Sequence, residues 1–445
     1  MAELLEITPQ KPFSAESYLA ELKTVDLIRQ NGKVRQVIGV VIESLGPNMS
    51  IGETCSILYR RNTDPVLAEV VGFRDNKVLM MPLGDLGGIG AGSEVVALGK
   101  PLEIGLSNGL LGRVLDGIGR PIDGLGPIAH AERAEVSGSP PSPLTRRRIT
   151  EPLSMGVRAI DGLLSCGKGQ RVGIFSGSGV GKSTVLGMIA RNTSADVNVI
   201  ALVGERGKEV RDFIERDLGP EGLRRSVVVV ATSDQPALVR IKAAFVATRI
   251  AEFFREQGLD VMFMMDSVTR FAMAQREVGL AIGEPTTTRG YTPSVFALLP
   301  KLLERAGTSA KGTITALYTV LVDGDDLNEP VADAVRSILD GHIVLSRAIA
   351  AANQYPAIDV LASVSRVMPD VVSDAHLKSA SNVRDLMATY KEAEDLVNIG
   401  AYVAGSNPKV DLAIGRIDAI RNYLRQGIFE QSSFDDAVAA LARIA

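Results

Sequence analysis

The stretch Ser176-Gly-Ser-Gly-Val-Gly-Lys-Ser183 decides the reading of this chain. Gly177, Gly179 and Gly181 lead into a lysine and a hydroxyl. Before the stretch, Arg171-Val-Gly-Ile-Phe175 reads as a short buried strand; after it, Thr184-Val-Leu-Gly-Met-Ile-Ala190 reads as the start of a helix. Strand, glycine loop and helix in that order form the setting of a phosphate-binding loop. Glycine lets backbone N–H groups curl around a polyphosphate without Cβ clashes, and the helix N-terminus adds partial positive charge. Lys182 is placed to reach the β- and γ-phosphates of ATP, and the Ser183 hydroxyl to bind Mg²⁺. The candidate nucleotide-binding segment is therefore Ser176, Gly177, Ser178, Gly179, Val180, Gly181, Lys182, Ser183 and Thr184. The strict pattern has glycine where Ser176 stands, and serine is small enough for the loop to close.

Composition narrows the class. A chain of 445 residues implies roughly two or three domains. Its apolar share of 46% is ample for a large core, and a net charge of −4 argues against a general nucleic-acid or membrane-surface binder. Cys55 and Cys166 match no metal spacing and read as buried thiols in a reducing compartment. His130, His342 and His376 are scattered, which disfavours a histidine metal site. Met1-Ala-Glu-Leu-Leu-Glu-Ile7 lacks the basic-then-apolar form of a signal peptide, and no run is long enough to span a bilayer. A soluble, cytoplasmic protein is expected, held at any membrane by partners.

Working outward from the loop, residues 170–365 alternate strand with helix. Val197–Val203, Ser226–Ala231, Val261–Met265 and Thr313–Val322 read as strands, and Pro236–Gln257 as a long amphipathic helix. This α/β pattern implies a mostly parallel sheet covered on both faces. Residues 25–97 read as many short strands, for which a small closed β-barrel is the simplest solution. Residues 98–369 are assigned to the P-loop domain, whose leading part carries two Asp-Gly turn signals and a proline-rich crossing at Ser137–Pro143. Arg146, Arg147 and Arg148 behind that crossing read as a solvated face. Residues 370–445 read as a helical domain broken at Asn407-Pro408. Residues 1–24 hold one short helix, either a frayed terminus or a partner-binding segment.

Hydrolysis of a nucleotide requires more than a loop. Asp266 closes the run Val261–Met265, where an acid at a strand's carboxyl end can hold Mg²⁺ opposite Ser183; capping the next helix is the alternative. Glu205, after Ile200-Ala-Leu-Val-Gly204, is a candidate to polarise water, or simply a solvated acid. Arg366 is by spacing either an ordinary surface arginine or a finger reaching a neighbouring subunit, an effect of roughly 10³–10⁵ in rate.

Several segments together resemble the rotary-type ATPases: Gly204–Val210, Met265–Phe271 and Tyr355-Pro-Ala-Ile-Asp359. Within that family, Gly290–Phe296, Leu299–Gly307 and Asp340–Arg347 are similar to the type III export branch, and Gly405-Ser-Asn-Pro408 to its flagellar members. The resemblance implies a RecA-like core and magnesium-dependent ATP hydrolysis that energises export of flagellar proteins. It implies that Glu205 is the catalytic glutamate, that Arg366 is a finger in trans, and that Arg206 and Arg270 lie near the γ-phosphate. It implies that Tyr355 packs on the adenine and that the chain forms a homohexamer. A stator-like regulator on residues 1–24, a central stalk protein facing Asp323–Asp326, a membrane export gate and chaperone-bound cargo are the partners it implies.

Three functions compete at this stage: a flagellar or virulence-type export ATPase, a catalytic subunit of a proton-driven ATP synthase, and a hexameric nucleic-acid translocase. The last calls for stacking aromatics in a basic groove. Residues 25–97 offer Tyr59 and Phe73 alone, so no nucleic-acid partner is expected.

Overall fold

The computed structural model describes residues 31–59, 64–129, 132–322 and 326–445. The segment 1–24, His130, Asp323, Gly324 and Asp325 lie outside the described residues.

The first unit is a closed barrel. Strands β1 (Asn31–Ile38), β2 (Val41–Leu45), β3 (Glu53–Leu58), β4 (Val66–Arg74), β5 (Lys77–Pro82) and β6 (Glu94–Pro101) close in the order β1-β2-β5-β4-β3-β6. The apolar run from Val34 to Ile42 is a hairpin rather than one strand, because Gly39 takes φ +58° and turns the chain back. Ile42, Cys55, Ile57, Val70, Met80 and Val95 fill the interior. Strand β6 continues past the boundary expected at 97.

The chain then crosses to the larger unit. Strand β7 (Glu103–Leu106) pairs with β9 (Glu132–Glu135), and β8 (Val114–Asp116) adds to the edge of the main sheet. The arginine triplet is not simply a solvated face. Arg146 donates to the carbonyls of Ala306 (2.8 Å) and Glu304, and Arg147 to those of Ser309 (2.9 Å) and Lys311 (2.8 Å). Both guanidiniums fasten the proline-rich crossing to the body beneath it.

The central unit follows. Strand β10 (Pro152–Leu153) pairs with β11 (Cys166–Gly167). The main sheet is built on β12 (Arg171–Ser176), β13 (Val197–Val203), β14 (Ser226–Ala231), β15 (Asp260–Asp266), β17 (Thr313–Leu321), β18 (Gly341–Leu345) and β19 (Ile358–Ser365). Their order is β19-β18-β12-β17-β15-β13-β14-β8, with the short β16 (Gly307–Thr308) on β17. Pairing along this order is parallel except at β19, which runs antiparallel to β18.

Side-chain alternation gives each strand two apolar faces. Val227, Val229, Phe263 and Met265 share one core with Ala243, Val246 and Ile250 of the helix Ala237–Glu256, while Val228, Val230, Met262 and Met264 share another with Val185, Leu186 and Ile189 of the helix Lys182–Asn192. The helices used here are α1 (Arg158–Leu163), α2 (Lys182–Asn192), α3 (Gly207–Asp212), α4 (Ala237–Glu256), α5 (Val268–Ile282), α6 (Arg347–Ala351), α7 (Asp374–Asn398), α8 (Pro408–Leu424) and α9 (Phe434–Ile444).

Helices α7, α8 and α9 form the C-terminal unit. Each starts at a side-chain cap, Ser373, Asn407 and Ser433, and the break at Asn407-Pro408 is such a cap followed by an N1 proline. The unit docks on α1. His376 Nε2–H donates to Gly162 O (2.7 Å), Arg384 to Leu163 O, and the Tyr423 hydroxyl lies 3.1 Å from Arg158 O and from Ala437 O. Among the described residues, no helix is long and apolar enough to cross a membrane.

Candidate active site

Strand β12 ends at Ser176 beside Leu345 of β18 and Leu321 of β17, so the glycine loop leaves from the carboxyl edge of the sheet. Gly179 (φ +81°) and Gly181 (φ +92°) hold left-handed backbone that an L side chain would strain. Gly181 is the last residue before α2, whose first N–H groups receive no side-chain cap. Those free donors face whatever the loop encloses.

Three charged groups converge at the loop's mouth. The Lys182 ammonium contacts Asp266 Oδ1 and lies 3.8 Å from Glu205 Oε1. Burial opposes its charge, but Asp266 and Glu205 outweigh burial and hold its pKa above the ordinary lysine range. Asp266 is the last residue of β15 and accepts a hydrogen bond from the Thr319 hydroxyl (2.8 Å). The helix cap is its neighbour Ser267, whose Oγ accepts from Arg270 N (3.3 Å). Asp266 is thereby left to face Lys182.

Glu205 follows β13, and burial, then the charge of Asp266, push its carboxyl up to about 7, with Lys182 opposing. Glu209, in the first turn of α3, meets Glu205 side chain to side chain, and its pKa is lowered by that contact. The two neighbouring carboxyls are thus pushed apart, Glu205 upward and Glu209 downward.

The other expected residues divide. Arg270 packs its stem on Gly204, and its Nε is buried without a hydrogen-bond partner. Arg206 turns outward, 79% exposed, with Glu209 at 3.9 Å, so this geometry does not bring it to the lysine–carboxylate cluster. The Tyr355 ring stands over the loop, with carbons 3.9 Å from where a Cβ on Gly181 would lie. Arg366 is exposed and follows β19, whose antiparallel course carries the chain to the opposite end of the sheet. Of the segment Asp323–Asp326, the described Asp326 pairs with Arg289 (3.0 Å).

Two groups escape the sequence reading, one beside the loop and one at the far end of α2. A Cβ on Gly177 would lie 2.5 Å from the guanidinium of Arg347, so this arginine packs against the loop. Its signal is position, since it follows β18 at the same sheet edge. The second group is the segment 425–430. Arg191 of α2 donates to Ile428 O (2.5 Å), with its guanidinium 5.0 Å from the centre of the Phe429 ring. No local pattern marks these contacts, which join residues far apart in sequence.

The residues present fit Mg²⁺ and a nucleotide polyphosphate. Ser176 Oγ, Glu205 Oε1 and Arg270 Nε are buried without hydrogen-bond partners around one loop. A polar ligand would satisfy such groups. Among the described residues no cluster of three or more His, Cys, Asp or Glu could cage a metal. One hydroxyl, one carboxylate and phosphate oxygens are instead a donor set suited to Mg²⁺.

Known proteins resemble this chain in each of its three units. Residues 156–365 match the profile of the ATP synthase alpha/beta family, nucleotide-binding domain, and residues 34–99 that family's beta-barrel domain. Residues 372–443 match the T3SS EscN ATPase C-terminal domain. The chain is 55% identical to the flagellum-specific ATP synthase of Bacillus subtilis (strain 168), over 96% of this chain and 98% of the relative. It is 52% identical to the type 3 secretion system ATPase of Xanthomonas euvesicatoria, over 95% and 96%. The solved assembled ATPase EscN from the enteropathogenic E. coli type III secretion system superposes with a TM-score of 0.88 at 47% identity, covering 93% of this chain and 99% of that one. Its structure in complex with its central stalk EscO gives 0.86.

Proposed function

This chain belongs to the ATP synthase alpha/beta family, in its type III export branch, and is an ATPase; from that premise we propose how its own residues carry the reaction and what it serves. The observation that carries the reading is the meeting of Lys182, Glu205 and Asp266 at the mouth of the glycine loop, with Glu205 poised near neutrality.

The glycine loop and the first turn of α2 bind the polyphosphate through backbone N–H groups, and Lys182 neutralises its β- and γ-phosphates. Ser183 and Asp266 would hold Mg²⁺, which would supply positive charge to offset that of the polyphosphate. In its ionised form Glu205 orients the attacking water and takes up its proton; Glu209, held ionised beside it, helps keep the Glu205 carboxyl raised. Arg270 supplies a donor from the floor of the site. Tyr355 packs on the base. Arg206, from the outer side of α3, serves at most a secondary role.

Arg366 serves a neighbour. Strand β19 is eight residues long and places Arg366 on the order of 25 Å from its own loop edge. An arginine there can neutralise phosphate charge on the next subunit but not on its own. A ring with the active site between subunits follows, and a homohexamer is the assembly we assign.

ATP hydrolysis drives type III protein export, and we assign this chain to the flagellar system. Its partners in this reading are a stator-like regulator on residues 1–24, a central stalk, a membrane export gate and chaperone-bound cargo. The protein works in the cytoplasm, peripheral to the membrane through those partners, with no nucleic acid involved.

The test is ATP hydrolysis as a function of protein concentration, with Lys182→Ala, Glu205→Gln and Arg366→Ala alongside. Specific activity should climb steeply with concentration and be lost in all three variants. Concentration-independent activity, with Arg366→Ala as active as the parent, would refute the shared site. Restoration of motility in a strain lacking its flagellar export ATPase tests the flagellar assignment, and restored effector secretion alone would point to the virulence system.

A further inference from the structure

A half-exposed ring needs something other than burial to fix its position. Tyr355 is 46% exposed and lies in the turn between α6 and β19. Its own carbonyl is held from outside the nucleotide-binding unit, by the backbone N–H of Gln426 (3.0 Å). Gln426 follows α8 of the C-terminal unit and is 5% exposed.

The side chain of Gln426 is anchored on every polar atom. Nε2–H groups donate to Gly156 O (2.9 Å) and Glu430 O (3.0 Å), and Oε1 accepts from Arg158 N (2.8 Å). Gly156 and Arg158 flank the start of α1, which belongs to the nucleotide-binding unit. A buried amide with all its partners in place is rigid, because shifting it strands several polar groups at once. Gln426 thus sits where three things meet: the turn carrying Tyr355, the start of α1 and the segment 425–430.

We infer that Gln426 is a positioning residue for nucleotide base recognition, setting the height of the Tyr355 ring over Gly181 through the Tyr355 carbonyl. This rests on the reading of Tyr355 as the base-packing aromatic. The C-terminal unit thereby enters substrate selection without touching the phosphates. Gln426 makes no contact with Lys182, Glu205 or Asp266, so the chemistry itself does not depend on it.

The experiment is steady-state kinetics on the full-length chain with ATP and GTP, plus inhibition by inorganic tripolyphosphate, which has phosphates and no base. Gln426→Met keeps volume and the backbone N–H but removes every side-chain anchor. It should raise KM for ATP about tenfold, the effect of losing buried hydrogen bonds of ordinary strength. It should narrow the preference for ATP over GTP, leave kcat within about twofold, and leave the tripolyphosphate Ki unchanged. Unchanged KM and base preference would overturn the inference. A tripolyphosphate Ki rising in step with KM would also overturn it, since the defect would then be general. If Gln426→Met does not fold, Gln426→Glu keeps the acceptor for Arg158 N, loses both donors, and is read the same way. Tyr355→Ala runs in parallel. If it leaves KM and base preference unmoved, the reading of Tyr355 itself fails; if it moves them and Gln426→Met does not, the inference about Gln426 alone falls.

Discussion

Lys182 and Arg366 of one chain stand at opposite ends of the same sheet. Lys182 follows β12 at the edge where Ser176 neighbours Leu345, whereas Arg366 follows Ser365, which pairs with Gly341 at the far end of β18. The antiparallel turn-back of β19 creates that separation, and it makes the two residues testable as members of different sites.

Two inactive variants should therefore rescue each other. Subunits carrying Lys182→Ala still offer a finger, and subunits carrying Arg366→Ala still offer a loop. In an equal mixture with random assembly, roughly a quarter of the interfaces combine an intact loop with an intact finger. ATPase activity of the mixture should approach that share of the parent, while either variant alone stays near background. A mixture no more active than its components would mean that both residues serve one site or that subunits do not exchange.

The pH dependence of hydrolysis should report Glu205. A carboxyl held up to about 7 is largely protonated below that pH and cannot accept a proton from water. The ascending limb of kcat/KM should have its midpoint near pH 7 rather than in the usual carboxylate range. Glu205→Gln should lower activity about 10²- to 10⁴-fold and remove that limb. A parent profile flat from pH 5 to 8 would contradict the assignment.

The same group affects stability. Glu205 has a pKa raised in the folded chain, from 4.5 to about 7. Between those values the unfolded chain binds fewer protons than the folded one, so stability falls as pH rises through the window and levels off above it. Glu205→Gln escapes this loss. Its Tm should exceed the parent's by about 2–4 °C at pH 8, with little difference near pH 4.5. Thermal melts at both values check the sign.

Gly162 in α1 admits no side chain. A Cβ there would fall 1.9 Å from the Tyr423 hydroxyl oxygen. Gly162→Ala should destabilise the chain by about 1–3 kcal/mol through overpacking, and Tyr423→Phe by about 1 kcal/mol through a lost hydrogen bond. The double variant should be more stable than the sum predicts, because removing the hydroxyl also removes the clash. Denaturant titrations of the four chains measure that coupling.

Much of the site was legible because its signals are local. The glycine loop, its strand and helix, and Asp266 at a strand end can each be read from a dozen consecutive residues. The alternation of strands and helices exposed the parallel sheet in the same way. What escaped depends on pairing at a distance. The three-residue strand Val114–Asp116 has no pattern of its own and exists because β14 offers it an edge. Arg206, set near the γ-phosphate by resemblance, points outward here at the N-terminus of α3. Arg347 reaches the nucleotide-binding loop, and Gln426 the turn that carries Tyr355, from sequence positions far from Ser176–Ser183, so spacing could not connect them to the site.

The joint between α1 and the C-terminal helices has a lopsided construction. On the α1 side the groups that receive His376, Arg384 and Tyr423 are the carbonyls of Gly162, Leu163 and Arg158, which every amino acid possesses. On the other side they are specific side chains. The α1 side has two fixed points of its own: the Arg158 guanidinium donates back to Tyr423 O (3.1 Å) and Arg425 O, and Gly162 leaves no room for a side chain against Tyr423. A chimera that borrows another protein's helical unit must therefore bring the three donors and also fit the socket at Arg158 and Gly162.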